Sequence, residues 1–169
     1  MPRLLLTLLT LFSVAVAANA APFCSASVDA DGNIHLRSPA GVDQRITDDG
    51  HYDAPLLAAN GAIVAWRRSF NTINIEDDHG ELGALYLYDG TTRVLHCEPV
   101  LRDFWFVRDG AQVGIDCGGL HFSGIERLHD AQTLAEIDWF DQSETPPEQR
   151  PNWADGAGSS YNCGTLANP

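Results

Sequence analysis

A strand-and-turn pattern that occurs twice constrains the fold of this chain more than any other feature. Residues Pro55-Leu-Leu-Ala-Ala-Asn-Gly-Ala-Ile-Val-Ala-Trp66 recur as Phe104-Trp-Phe-Val-Arg-Asp-Gly-Ala-Gln-Val-Gly-Ile115. Each copy is an apolar run, a Gly turn and a second apolar run. A second hairpin follows each copy, Leu85-Tyr-Leu-Tyr-Asp-Gly-Thr-Thr-Arg-Val-Leu95 and then Glu126-Arg-Leu-His-Asp-Ala-Gln-Thr-Leu-Ala-Glu136, and a partial third copy runs from Ile34 to Thr47. Aligning Gly61 with Gly110 shifts the chain by 49 residues and aligning Asp89 with Asp130 by 41. These values bracket the ~40 to 50 residue period of four-stranded blades.

The local grammar is that of short antiparallel strands. Cys24 to Val28 and Ile34 to Arg37 flank an Asp31-Gly32 turn, and Asn60-Gly61, Asp89-Gly90 and Asp109-Gly110 divide later apolar or alternating runs. Such dipeptides tolerate the positive φ that tight hairpin turns require. Leu85 and Leu87 alternate with Tyr86 and Tyr88, as on a half-buried strand. The segment Ile125 to Trp139 also suits helical spacing, and its likeness to the Leu85 hairpin favours strands. Past Asp141 the chain turns Pro-rich, Glu144-Thr-Pro-Pro-Glu-Gln-Arg-Pro-Asn152. Trp153, Tyr161 and Cys163 give that tail anchors with which to wrap back on the body. The expected organisation is 1–20 signal peptide, 21–143 β domain and 144–169 tail.

Export follows from the first twenty residues. Arg3 precedes an apolar stretch from Leu4 to Ala17, which ends in Ala18-Asn-Ala20, a small-x-small cleavage pattern. The apolar run is shorter than the ~20 residues that span a bilayer, and no later segment is long and apolar enough to do so. The expected location is periplasmic or secreted. The formal net charge is -13, and loss of Arg3 on cleavage makes it -14. Such a surface repels phosphate backbones, so nucleic acid is not an expected partner. All ten basic residues are Arg, which excludes Schiff-base Lys chemistry, a Ser-Lys dyad and a phosphate-loop Lys.

Four Cys in an exported chain read as two disulfides. No pair has the two-to-four residue spacing of a zinc knuckle. The repeat places Cys97 and Cys117 at the same end of one hairpin. Cys24 and Cys163 then join the two ends of the mature chain, and three connectivities remain formally possible.

Catalytic signatures are sparse. Ser123 and Ser159 lie near Gly residues but outside a Gly-x-Ser-x-Gly turn. His35, His51, His79, His96, His121 and His129 are scattered singly, and a strand or turn role is the ordinary one for each. Gly118-Gly-Leu-His-Phe-Ser-Gly124 could present His121 and Ser123 to a ligand, or serve as a tight loop between strands. Glu76, Asp77, Asp78 and Glu81 surround His79 and could hold a divalent cation, although the spacing matches no loop motif. Asp29-Ala-Asp-Gly32 matches only the opening of a calcium loop. Trp66, Phe104, Trp105, Phe106, Trp139 and Phe140 fall on or beside strands, where core packing is the default and a carbohydrate or peptide platform the alternative.

The stretch Thr47-Asp-Asp-Gly-His-Tyr-Asp-Ala-Pro55, the Asn60-Gly61 turn and Leu85-Tyr-Leu-Tyr-Asp-Gly90 together resemble a blade of the TolB-type β-propellers, and Trp105-Phe-Val-Arg-Asp-Gly110 repeats the likeness. The resemblance covers roughly residues 34 to 139. It implies a periplasmic protein-binding platform and carries over no particular binding residue. A propeller ring needs at least ~4 blades, and about two and a half can be counted. The expected fold is therefore all-β, with antiparallel propeller-like blades forming an incomplete propeller or a small open meander. It is disulfide-linked, with a homo-dimer as one route to closure. The expected function is non-enzymatic binding of a protein or other envelope component, without a cofactor. The alternative is a small secreted hydrolase or metal-binding protein using the His121/Ser123 loop or the 76–81 acidic loop.

Overall fold

Turn chemistry and strand alternation cut the chain into eleven described strands in three consecutive antiparallel sheets. The computed structural model describes residues 23–69, 82–119 and 122–154. The expected signal peptide at 1–20, the acidic loop with Glu76, Asp77, Asp78 and His79, His121, and the tail from 155 with Cys163 lie outside the described residues.

The first sheet joins β1 (Ser25–Val28), β2 (Ile34–Arg37) and β3 (Asp43–Arg45). The second joins β4 (Tyr52–Leu57), β5 (Val64–Arg68), β6 (Ala84–Tyr88) and β7 (Thr92–His96). The third joins β8 (Leu101–Val107), β9 (Gln112–Cys117), β10 (Ile125–Asp130) and β11 (Glu136–Asp141). Within each sheet, neighbours in space are neighbours in sequence, the up-and-down order that short Asp-Gly and Asn-Gly turns impose. The two copies of the repeat are the second and third sheets: β4 and β5 match β8 and β9, and β6 and β7 match β10 and β11. The segment from Ile125 to Trp139 takes the strand form, as Ile125–Asp130 and Glu136–Asp141 joined by a turn, and the all-β, antiparallel expectation holds across the described residues.

Burial shows how the sheets pack. In β5, Val64, Ala65 and Trp66 are all buried, because the second sheet has a neighbour on each face. Alternation divides these residues between the neighbours. Val64 and Trp66, with Tyr52, Tyr86 and Tyr88, pack against Ile34, Leu36 and Ala26 of the first sheet. Ala65, Leu85 and Leu87 pack against Phe104, Phe106, Val113 and Ile115 of the third. A continuous apolar run such as Ala62 to Trp66 is what a strand covered on both sides requires, whereas the half-polar β2 needs only one buried face. Cores of this kind lose about 2 to 5 kcal/mol per Leu or Ile cut to Ala.

The second and third sheets are also tied by polar bonds and a covalent one. The Arg67 guanidinium donates to Asp53 Oδ1 and to the Arg102 carbonyl. Arg93 pairs with Asp89 and donates to the Ala131 carbonyl. Cys97, just past β7, is disulfide-bonded to Cys117 at the end of β9, as the repeat predicts. Cys24 is also disulfide-bonded. The equivalent turns of these two sheets touch, since a Cβ on Gly110 would meet Ala58 and Asn60. Gly110 also has φ 93 and follows Arg108 and Asp109 at φ 50 and 55, a left-handed run that an Asp-Gly turn accommodates best.

The outer faces of the stack differ from its interior. On the first sheet the alternate positions Ser25, Ser27, His35, Arg37, Asp43 and Arg45 are polar. On the third sheet, Trp105 lies over Gly114, and residues 146–154 cross the same face. Trp105 Nε1 donates to the Trp153 carbonyl at 2.8 Å. The Trp153 ring meets Phe140 at 5.6 Å and its Nε1 donates to Asp138.

Candidate binding cleft

Between the first two sheets, the linker from β3 to β4 and the aromatic face of the second sheet enclose a cleft of about 320 Å³. Ile46, Thr47, Asp48 and Asp49 form one side, and Tyr52, Trp66, Tyr86 and Thr92 the other. Strand register brings the rings together. Trp66 pairs with Tyr86 across β5 and β6, and Tyr52 pairs with Arg68 across β4 and β5. Trp66 and Tyr86 stack at 5.8 Å with planes 8° apart, and Tyr52 meets both edge-on. Offset-stacked and edge-on pairs of this kind add about 0.5 to 1.5 kcal/mol each beyond their buried area.

The linker is fixed by Asn33, a buried side chain whose Oδ1 accepts the Gly50 N–H at 2.8 Å. Thr47 Oγ1 accepts the Ile34 N–H at 2.8 Å. These bonds place Asp48 and Asp49 at the rim. Asp49 Oδ2 accepts the Tyr52 hydroxyl at 3.2 Å and pairs with Arg68 Nη2 at 3.0 Å, while the Arg68 guanidinium stands 4.6 Å from the Tyr52 ring centre. Burial, and next the bond to Asp49, push the Tyr52 phenol above its ordinary value, so it stays a hydroxyl donor. At the floor, Trp66 is 1% exposed and its Nε1–H has no hydrogen-bond partner. Arg93 Nε, Arg102 Nε and His129 Nε2 are likewise buried without one.

The residues singled out from sequence meet elsewhere or not at all. Ser123 is exposed in the loop from β9 to β10 and makes no hydrogen bond to a described His, Asp or Glu side chain. That loop is closed by Arg102, which donates to the Phe122 carbonyl, to Asp116 Oδ1 at 2.6 Å and to Gln142 Oε1 at 2.6 Å. Asp29, at the start of the partial calcium pattern, spends Oδ1 on the N–H groups of Asp31 and Asn33 and Oδ2 on His35. It is a turn-former. No group of three or more His, Cys, Asp or Glu side chains among the described residues is arranged to hold a metal. No described helix is long and apolar enough to cross a membrane.

Of the aromatic candidates, Trp66, Phe104, Trp105, Phe106 and Phe140 are buried, while Trp139 on β11 is 55% exposed beside Ile137 at 49%. Sequence reasoning did not single out Tyr52, Tyr86, Asp48 and Asp49 as site residues. The available signal was the phase of Leu85-Tyr-Leu-Tyr88, which sets the Tyr side chains on one face, combined with the Asp48-Asp49 turn that leads into β4. No protein family matches the chain, and no curated protein matches it.

Proposed function

We propose that the chain is exported after cleavage behind Ala20 and acts, in the periplasm or as a secreted protein, as a non-enzymatic binding protein. In this reading its sheets are TolB-like blades and its partner is another envelope component. The observation that carries the reading is the cleft between the first two sheets. It gathers three packed aromatic rings and two rim carboxylates, the mixture of apolar wall and a few placed polar groups that marks ligand sites. The four-stranded meanders of the second and third sheets support the blade reading, because each has the strand order of a propeller blade.

The test places a photoreactive p-benzoylphenylalanine at Thr92, on the cleft rim, in the exported full chain. Irradiation of whole cells should give a discrete adduct with an envelope component, and Tyr86→Ala should abolish it. Adducts that persist unchanged in Tyr86→Ala would place binding away from the cleft and contradict the reading.

A further inference from the structure

We propose that Cys24 is bonded to Cys163 and that this bond is a redox latch: a dithiol opens it while Cys97–Cys117 stays closed, and its opening loosens the strap of residues 146–154 on the third sheet.

The pairing follows from count and bonding state. The chain has four Cys. Cys97 and Cys117 are spent on each other, Cys24 is disulfide-bonded, and no described Cys is free. Within one chain, Cys163 is the partner left to Cys24. Contacts lead from the end of the strap toward Cys24. Trp153 shares a cleft with Val107 and Arg108, beside the turn at Gly110. A Cβ on Gly110 would meet Ala58 and Asn60, and the Gly61 carbonyl accepts the Phe23 N–H at 2.6 Å. Cys24 comes next, its own N–H held by the Arg37 carbonyl at 2.6 Å. Strap and Cys24 therefore lie toward the same turn-bearing end of the stack. Cys163 is nine residues beyond Ala154, a reach of up to ~30 Å at ~3.3 Å per residue. Two sheet spacings of ~10 Å each separate the third sheet from the first.

The two bonds differ in their surroundings. Cys97 and Cys117 are 6% and 4% exposed, in the core between the second and third sheets with Leu95, Leu101 and Ile115. Cys24 is half-buried, just ahead of the edge strand β1. Exchange requires a thiolate to reach a sulfur, so packing shields the first bond and leaves the second open to attack. One thiolate of the dithiol attacks a sulfur of Cys24–Cys163 and forms a mixed disulfide, and the second thiol displaces it. Two Cys thiols and one cyclic disulfide of the reductant result, with two electrons passed to the protein.

Trp153 is anchored by its hydrogen bonds with Trp105 and Asp138 and by its ring contact with Phe140. The latch fixes the chain beyond it. Once the latch is open, fraying from the free end reaches Trp153 first. Trp105 and Phe140, each 7% exposed under the strap, are the apolar surface this uncovers.

The experiment titrates the oxidised protein, residues 21–169, with dithiothreitol in native buffer, followed by alkylation, peptide mapping and NMR of the indole N–H groups. Before reduction, the map should join the Cys24 peptide to the Cys163 peptide. Cys24 and Cys163 should then become alkylated at least tenfold faster than Cys97 and Cys117. In the half-reduced protein the Trp105 indole N–H should exchange with solvent about tenfold faster, while that of Trp66 stays slow. Cys24→Ser combined with Cys163→Ser should reproduce this pattern without reductant. If Trp66 also exchanges fast in that variant, it has unfolded, and reduction of the native chain decides. Cys24 found on any other Cys, including Cys24 of a second copy, would overturn the inference. So would reduction of Cys97–Cys117 first or at the same rate, or Trp105 exchange left unchanged by the opened bond.

Discussion

Asp and Asn side chains fold back on their own turns throughout this chain. Asp29, Asn60, Asp89, Asp130 and Asp141 each accept the backbone N–H two residues on, an Asx arrangement that replaces a missing ladder bond. These bonds hold carboxyl groups in the charged form. The N–H of Asn33 pulls Asp29 below its ordinary value, as Thr133 does for Asp130 and the Ser143 hydroxyl for Asp141. Four of the 23 acidic residues thus serve as turn-formers, and the partial calcium pattern at Asp29 is one such turn. The ten Arg residues show the complementary logic. Arg67, Arg93 and Arg102 each reach two or more acceptors at once, which a planar fork does and a single ammonium does less well. His35 is clasped between Asp43 at 2.7 Å and Asp29 at 3.1 Å, and the Asp43 bond first, then that to Asp29, raise its protonation point above 6.5. A raised His contributes stability in full below its unfolded value and loses it as pH rises through the folded one, while lowered Asp29 contributes above about 3.9 and loses it as pH falls. The clasp therefore stabilises most between these limits. NMR titration should place His35 above 6.5, and the urea midpoint should drop between neutral and mildly alkaline pH more in the native chain than in His35→Gln. A His35 that titrates at or below 6.5 would sink this account.

Single strands carry the next level of specificity, and the third sheet shows it best. Gly114 sits under the Trp105 indole, so closely that a methyl group there would overlap the ring. Gly114→Ala should push Trp105 aside, break its bond to the Trp153 carbonyl and cost about 1 to 3 kcal/mol, the usual range for overpacking. The urea midpoint measures this, and an unchanged midpoint would mean that Trp105 has room to move. Strand existence was legible from sequence, down to the segment from Ile125 to Trp139, because apolar runs and Asp-Gly turns are local signals. The faces were less legible. Tyr86 and Tyr88 look like the outward half of an alternating strand, yet they pack against the first sheet, since a neighbour on the second face is a tertiary fact that period-two alternation does not contain. The cleft was missed for the same reason: Asp48 and Tyr86 are brought together only when two sheets pack.

The three sheets stack so that the middle one is covered on both faces, and the ends are finished differently. The first sheet turns a polar face outward, and the third has residues 146–154 laid across it through Trp153 and Arg150, whose guanidinium stands 5.7 Å from the Phe140 ring. Terminal units with polar or covered outer faces are how repeat stacks end without recruiting another copy. The repeat made the number of sheets legible, but not their capping, which depends on a Pro-rich tail with no periodicity. The Cys97–Cys117 bond closes a loop with a sequence separation of 20 between the second and third sheets. Replacing both Cys by Ser should cost about 3 kcal/mol on chain-entropy grounds, read as a lower urea midpoint with a slope that does not fall, since the unfolded chain is freed to expand. The central claim is that one chain completes this stack by itself and presents its cleft as a single unit. Light scattering on a sizing column, applied to oxidised residues 21–169, tests it most directly: the account predicts the mass of a monomer across concentrations, and a stable dimer would contradict it by showing that a second copy is needed to cover the sheets.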